Sequence, residues 1–103
     1  MKLPYYAVVF TSKRKAYTDE YEAAADRMKE LTAEQPGFLG IDSARNADGI
    51  GITVCYWDSI QAIKNWKQNN EHQYVQQMGK KEWYESYSVR IAKVEEEYSM
   101  EAV

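Results

Sequence analysis

The chain has 103 residues, 28% of them charged and 45% apolar, with net charge −3 at pH 7 and a pI of about 5.2. That length supports one domain with one modest core, and the acidic balance with no long basic run argues against a nucleic-acid partner. The longest apolar run, residues 5–10, is far short of the roughly 20 residues that cross a bilayer, so no membrane partner is expected either.

A single cysteine, Cys55, rules out an internal disulfide and suits a reducing compartment. No signal sequence precedes Tyr5, and a cytoplasmic location is expected.

Residues 5–11, YYAVVFT, read as a strand with apolar side chains on both faces. Ser12-Lys13-Arg14-Lys15, the densest cationic cluster, reads as a solvated polar loop rather than a phosphate site. Thr18 is a natural N-cap, and Asp19 and Glu20 follow where the helix dipole favours negative charge. Tyr21, Ala24, Ala25, Met28, Leu31 and Thr32 then recur at helical spacing, and Gln35-Pro36-Gly37 stops the helix. The alanines at 23–25 let that helix sit close on a sheet.

Residues 38–45, FLGIDSAR, form the second predicted strand, and Asn46-Ala47-Asp48-Gly49 a hairpin turn with Gly49 fit for a positive φ. In the third strand Ile52, Val54 and Tyr56 alternate with Thr53, Cys55 and Trp57, almost without charge. Cys55 there reads as a small buried hydrophobe. Asp58 and Ser59 supply N-cap chemistry, with Gln61 placed to complete a capping box with Asp58. Ile60, Ile63 and Trp66 share one stripe of the helix that follows. Asn69-Asn70 interrupts it, and residues 71–81 read as a second, shorter helix carrying Tyr74, Val75 and Met78. A long last strand runs from about Tyr84 through Tyr98, with Tyr87, Val89, Ile91 and Ala92 as its buried candidates. Glu95-Glu96-Glu97 and the tail to Val103 are expected to be exposed.

The order β-α-β-β-α-α-β predicts a single α+β domain over residues 1–103: a ferredoxin-like split βαβ fold, one antiparallel four-stranded sheet with helices on one face. Helices on one side would leave half of each strand facing water. Yet Tyr5, Ala7 and Val9 alternate with Tyr6, Val8 and Phe10, and neither set is polar. An open face this apolar marks an interface. The residues therefore predict a homodimer paired sheet against sheet, closing an eight-stranded dimeric α+β barrel.

Cofactor motifs are absent: there is no glycine-rich phosphate loop, no P-loop and no paired CxxC. One histidine and one cysteine put a His-rich metal site out of reach of a single chain, so metal: none. Ser43, Ser59, Ser86 and Ser88 lack a nucleophile-elbow context. Any chemistry must use a few polar groups in an apolar cleft between helices and sheet. His72, at the break between two helices, is either a packing residue or a proton acceptor. Arg90, in mid-strand, is either an ion-pair partner of Glu82, Glu85 or Asp42 or a clamp on an anionic or phenolate oxygen. Trp66 reads as core first and pocket wall second, with Trp83, Tyr84 and Tyr87 completing the aromatic set. Asn65 offers an amide to a ligand or to solvent, and Tyr56 and Trp57 end their strand where a pocket mouth would lie.

Nearly the whole chain, through QPGFLG, YWDSIQAIKNW and the EH that follows, resembles the antibiotic biosynthesis monooxygenase domain family of the dimeric α+β barrel superfamily. The resemblance implies the same dimeric fold. It also implies a cofactor-free oxygenase reaction on a small aromatic or quinone-type molecule, in which a phenol is ionised, oriented and exposed to dioxygen. On that reading His72 and Arg90 are the catalytic candidates and Asn65, Trp66, Tyr87, Trp83 and Tyr56 the substrate-binding ones. Two other outcomes are a non-catalytic ligand-binding dimer and a haem-binding or haem-degrading protein. The haem-degrading members use an Asn on the first strand, which YYAVVFT lacks, and their ligand position falls near Gln76 rather than His72.

Overall fold

A computed structural model describes residues 1–15 and 18–101 of the chain. Strands β1 (Tyr5–Arg14), β2 (Phe38–Arg45), β3 (Ile50–Trp57) and β4 (Tyr84–Val94) alternate with helices α1 (Asp19–Ala33), α2 (Ile60–Lys67) and α3 (Asn70–Met78) in the expected order. One π-helical turn, Gly79–Trp83, links α3 to β4. The strands make a single antiparallel sheet in the order β2-β3-β1-β4. The molecule measures 37 × 34 × 22 Å, and the thin axis is what one helix layer on one sheet occupies.

Side chains close the element ends. Thr18 accepts the Tyr21 N–H at 3.1 Å, Ser59 the Ala62 N–H at 3.1 Å, and Asn69 the His72 N–H at 3.1 Å, so each helix has one orphan donor satisfied. The cap of α2 is thus Ser59 alone. Gln61 instead reaches along its own helix to Asn65, 2.9 Å away, and the expected box with Asp58 does not form. Gly37 takes φ +86°, and a Cβ there would lie 2.5 Å from Asp58 Oδ1 and 2.6 Å from Ala62 Cβ. Only glycine allows both the turn and the close approach of α2. Gly49 supplies the other positive φ, in the β2–β3 hairpin, where Asn46 Oδ1 accepts from Asp48 and Ile50.

Three boundaries differ from expectation. β1 runs on through Ser12, Lys13 and Arg14, because Gly51 and Ile50 on one side and Tyr87, Ser86 and Tyr84 on the other give these residues ladder partners. β4 stops at Val94 rather than Tyr98, since Val94 already pairs with Tyr5, the first residue of β1. The second helix of the pair is α3, from Asn70 to Met78, with the π turn taking up the remainder. Of the C-terminal tail, residues 102 and 103 lie outside the described residues; Tyr98 and Met100 are exposed.

The core is Trp57, fully buried, with Ala62, Ile63 and Trp66, flanked by Tyr6, Val8, Met28, Leu31, Phe38 and Cys55. Ala62, seated against Gly37, takes the buried place expected of Ile60, which is exposed. Trp57 Nε1 has no hydrogen-bond partner among the described residues, an orphan donor that costs about 1–3 kcal/mol. Burial pushes the half-buried Cys55 thiol up to about 11, which keeps it a thiol at neutral pH, as a small hydrophobe should be.

This core fixes which face of the sheet the helices cover. Tyr6, Val8, Cys55 and Trp57 point toward them, and antiparallel partners share a face, so Phe10, Tyr87, Val89, Ile91 and Lys93 point the same way. Tyr5, Ala7, Val9, Thr11, Ile50, Ile52, Val54, Tyr56, Ser88, Arg90 and Ala92 occupy the opposite, open face. The burial expected in the last strand is not found. Tyr87, Val89 and Ile91 are 40%, 52% and 55% exposed, because the helices stop short of edge strand β4, and Ala92 lies on the open face.

Candidate functional site

On the helix side, Trp66 anchors the sequence-predicted set. It is buried, and the His72 ring stacks on it face to face, centroids 4.1 Å apart and planes 12° apart. Asn69 breaks the chain between α2 and α3 and turns His72 back over its predecessor helix, where His72 Nδ1 lies 3.0 Å from the Trp66 carbonyl oxygen. A carbonyl only accepts, so Nδ1 carries the proton and the neutral ring keeps its lone pair on Nε2. Nε2 stands 3.5 Å from the Gln76 amide nitrogen. Burial lowers the His72 pKa, with the Trp66 hydrogen bond opposing in part, so the ring is neutral at neutral pH. The result is a fixed, unprotonated base of defined tautomer.

On the same side of the sheet an aromatic cluster joins α1 to the start of β4. Phe10 lies 5.5 Å from both Tyr84 and Tyr87, and Tyr21 meets Trp83 and Tyr84 edge-on at 5.8 and 5.9 Å. Tyr84 donates to the Tyr21 hydroxyl at 3.4 Å; burial, then that bond, raise the Tyr84 pKa and hold it as a phenol. The Arg14 and Arg45 guanidinium carbons lie 5.4 and 6.0 Å from the Tyr21 ring centre. Arg45 donates to Ser12 Oγ at 2.9 Å and to the Gly49 carbonyl, and it packs on Gly51, where a Cβ would lie 2.5 Å from its Cζ. Sequence reasoning missed Phe10, Tyr21, Arg14 and Arg45 as neighbours of Tyr84. The available signal was the glycine opposite Arg45 in the hairpin.

Other predicted residues are not brought to this site. Arg90 sits on the open face, paired with Val9, and its Nη1 donates to Ser88 Oγ at 3.0 Å. Among the described residues none of the ion pairs suggested for it, with Glu82, Glu85 or Asp42, is found: Glu85 pairs with Lys13 at 3.4 Å, and Asp42 accepts the Tyr56 hydroxyl at 2.8 Å. Tyr56 is therefore also an open-face residue. The sheet separates both from His72, because strand side chains alternate faces and these two fall on the other parity. Asn65 is exposed on α2 and accepts from Gln61, away from the sheet. Trp83 is buried against Tyr21 and contributes packing rather than a wall.

Two surface clefts flank these groups. One, of about 350 Å³, is lined by Leu3, Pro4, Lys93 and Glu95; the other, of about 260 Å³, lies between α1 and β2–β3 and includes Tyr21, Asp26, Lys29, Ser43, Arg45 and Thr53. Neither touches Trp66, His72 or Arg90, so the expected cleft lined by those three is not what opens to solvent. Instead, the helix side of β4 presents an uncovered apolar strip, Tyr87-Val89-Ile91, beside Phe10 and Val8. The α2–α3–π segment carries the chain from β3 to the start of this far edge strand.

Among the described residues no group of three or more His, Cys, Asp or Glu is placed to hold a metal ion, and no helix is long and apolar enough to cross a membrane. The arrangement does not fit a haem ligated as in the haem-degrading relatives. The His72 ring is pinned to Trp66 with Nε2 against Gln76, and β1 supplies no Asn.

An antiparallel four-stranded sheet with its helices on one face defines a ferredoxin-like α+β protein. Within that class, the profile of the antibiotic biosynthesis monooxygenase family matches residues 4–78, and the chain belongs to that family. It is 53% identical over 92 residues to Uncharacterized protein YqjZ of Bacillus subtilis (strain 168), covering 89% of this chain and 81% of that one. Protein SO0527 from Shewanella oneidensis has the same fold, with a TM-score of 0.77 and 16% identity over 89% of this chain and 92% of its own. So does a mutant of SnoaB, a cofactor-independent oxygenase from Streptomyces nogalater, with a TM-score of 0.74 and 14% identity over 85% and 90% of the two chains.

Proposed function

We propose that this protein is a monooxygenase that works without a bound cofactor on a small phenolic or quinone-type aromatic, held on the helix side of β4. The observation that carries this reading is the strip Tyr87-Val89-Ile91, left bare on the side where a fixed neutral histidine sits, in a chain of this family. Exposed apolar side chains beside Phe10 give a flat ring a surface to stack on.

His72 Nε2 accepts the phenol proton, and the electron-rich anion so formed reacts directly with dioxygen. At the ring C–H para to the phenol oxygen, one atom of dioxygen becomes the second carbonyl of a quinone, and the other leaves as water with two hydrogens, one from that carbon and one from the hydroxyl. The protein's part is to orient the ring and hold the proton. In this account Arg90 and Tyr56 have no role at the ring, since they lie across the sheet.

The open face supports the second half of the reading, a homodimer. Ala7, Val9, Ala44, Ile50, Ile52, Val54 and Ala92 form a continuous apolar band there, with Ile50 and Ile52 half-exposed. Two copies paired through it bury that band and leave both helix-side strips accessible.

The test is oxygen uptake with phenols that keep a free para C–H, such as 1-naphthol, aerobically and anaerobically. The expected result is an oxygen-dependent product whose rate falls at least about a hundredfold in His72→Ala and is abolished by Val89→Glu. Turnover unchanged in both variants overturns the assignment. A ligand-binding dimer without chemistry is the second reading, favoured by the mutual burial of Trp66 and His72; it predicts aromatic binding at the strip with no oxygen uptake.

A further inference from the structure

The sheet is polar beneath α1, where a helix-covered face is ordinarily apolar. Arg45, Ser43 and Thr53 share the helix side with Cys55, and in the β2–β3 ladder Arg45 pairs with Gly51 and Ser43 with Thr53. These three line the 260 Å³ cleft from the sheet, and Tyr21, Glu22, Asp26 and Lys29 line it from α1. Arg45 differs from the exposed cations of the surface in being half-buried and held in place. Its guanidinium donates to the Gly49 carbonyl and to the Oγ of Ser12, itself only 6% exposed. It also lies 6.0 Å from the Tyr21 ring centre and fills the space that a Cβ on Gly51 would take. Both acceptors are neutral. A guanidinium taken partly out of water ordinarily has a carboxylate beside it, and among the described residues Arg45 has none. Two of its five N–H donors are used in these bonds, which leaves three. The Ser43 and Thr53 hydroxyls beside it make no hydrogen bond among the described residues either.

The α1 side supplies the opposite sign. Glu22 and Asp26 stand one turn apart, and Ala25 next to them is too small to fill the gap to the sheet. Neither carboxylate makes an ion pair among the described residues. We propose that this cleft binds a small zwitterion of the amino-acid class, its carboxylate on Arg45, Ser43 and Thr53 and its ammonium group on Asp26 and Glu22. The balance of charge selects the class. A bare anion drawn to Arg45 would also meet two carboxylates, and a bare amine drawn to Asp26 would also meet a fixed guanidinium. A molecule with both charges on adjoining atoms satisfies each side, and a planar carboxylate matches the guanidinium fork. The apolar part of the ligand then lies against Ala25 and the Tyr21 ring. This site is separate from the surface proposed for the aromatic and does not rest on it: β2 and β4 are opposite edges of the sheet, three strand spacings or about 14 Å apart.

The experiment is an amide-shift NMR titration of the full chain with three aliphatic probes of one skeleton: L-leucine, 4-methylpentanoate, which lacks the ammonium group, and 3-methylbutylamine, which lacks the carboxylate. Leucine is expected to bind at least about tenfold more tightly than either half, with shifts centred on Asp26, Ser43, Arg45 and Thr53. Arg45→Met weakens leucine and 4-methylpentanoate about tenfold and leaves the amine no weaker. Asp26→Asn, an exposed change that does not threaten the fold, weakens leucine and the amine and spares 4-methylpentanoate. Gly51→Ala keeps the guanidinium but displaces it, since the new Cβ would lie 2.5 Å from Arg45 Cζ, and it weakens leucine as Arg45→Met does. Lys29→Met removes an exposed cation at the rim and leaves the leucine affinity within about twofold. No leucine binding, shifts centred on β4, equal affinity for leucine and its two halves, or the same loss from Lys29→Met as from Arg45→Met overturns the proposal. Oxygen uptake, present or absent, bears on the catalytic reading alone, because these titrations read binding at the other edge of the sheet.

Discussion

Gly37 is held by two independent constraints, its φ of +86° and the 2.5 Å gap to Asp58 Oδ1 that a Cβ would have to occupy. Left-handed backbone costs a non-glycine residue about 1–2 kcal/mol, and displacing α2 adds to it. Gly37→Ala is therefore expected to lower stability by about 2–4 kcal/mol in urea titrations; a loss within about 0.5 kcal/mol would mean that neither constraint binds. His72 makes a prediction of opposite character, in pH. Its folded pKa is lowered from 6.5 by burial. Between the two values the unfolded chain binds more protons than the folded one, so stability rises with pH there. This contribution is complete above about 6.5 and is lost as pH falls through the folded value. In His72→Gln the rise with pH below 6.5 should flatten; parallel pH profiles for the two proteins contradict the burial described for this ring. Arg90 shows how little a single residue reveals of its face: a charge between Val89 and Ile91 looks enclosed in the sequence, yet its neighbours in line point the other way.

At the scale of elements, local chemistry carries most of the helices. Thr18, Ser59 and Asn69 cap α1, α2 and α3 from positions that capping preferences alone pick out or bracket. Ser59→Ala should cost about 1 kcal/mol, whereas Gln61→Ala should change stability by no more than a few tenths, since its partner is the exposed Asn65. Thermal melts of the two variants separate this arrangement from the capping box the sequence suggests. The strand ends were less legible, for a physical reason. Whether Ser12-Lys13-Arg14 is loop or strand depends on ladder partners at Gly51, Ile50 and Tyr84 to Tyr87, which lie about 40 to 70 residues away in the chain. A hydrophilic composition reports none of that. The β2–β3 hairpin was readable because its turn residues and both its strands are adjacent in sequence.

For the whole molecule, the sequence showed that both sets of strand side chains were apolar, from which cover by a second copy was expected. It did not show which set faced the helices, because parity is fixed only by the packing of Tyr6, Val8, Cys55 and Trp57 on α2. Hence His72, Trp66 and Tyr87 lie on the helix side, while Arg90 and Tyr56, expected with them, lie on the other. On the proposed reading the two faces divide the work, the helix side of β4 taking the ligand and the open face a second copy. Sedimentation equilibrium at micromolar concentration tests that division directly, on the 12.0 kDa wild-type chain, on Ile52→Glu from the open face and on Val89→Glu from the helix side. The account predicts twice the chain mass for the wild type and for Val89→Glu, and the single chain mass for Ile52→Glu. A wild type that sediments as single chains, or a dimer that Val89→Glu dissociates and Ile52→Glu does not, contradicts it.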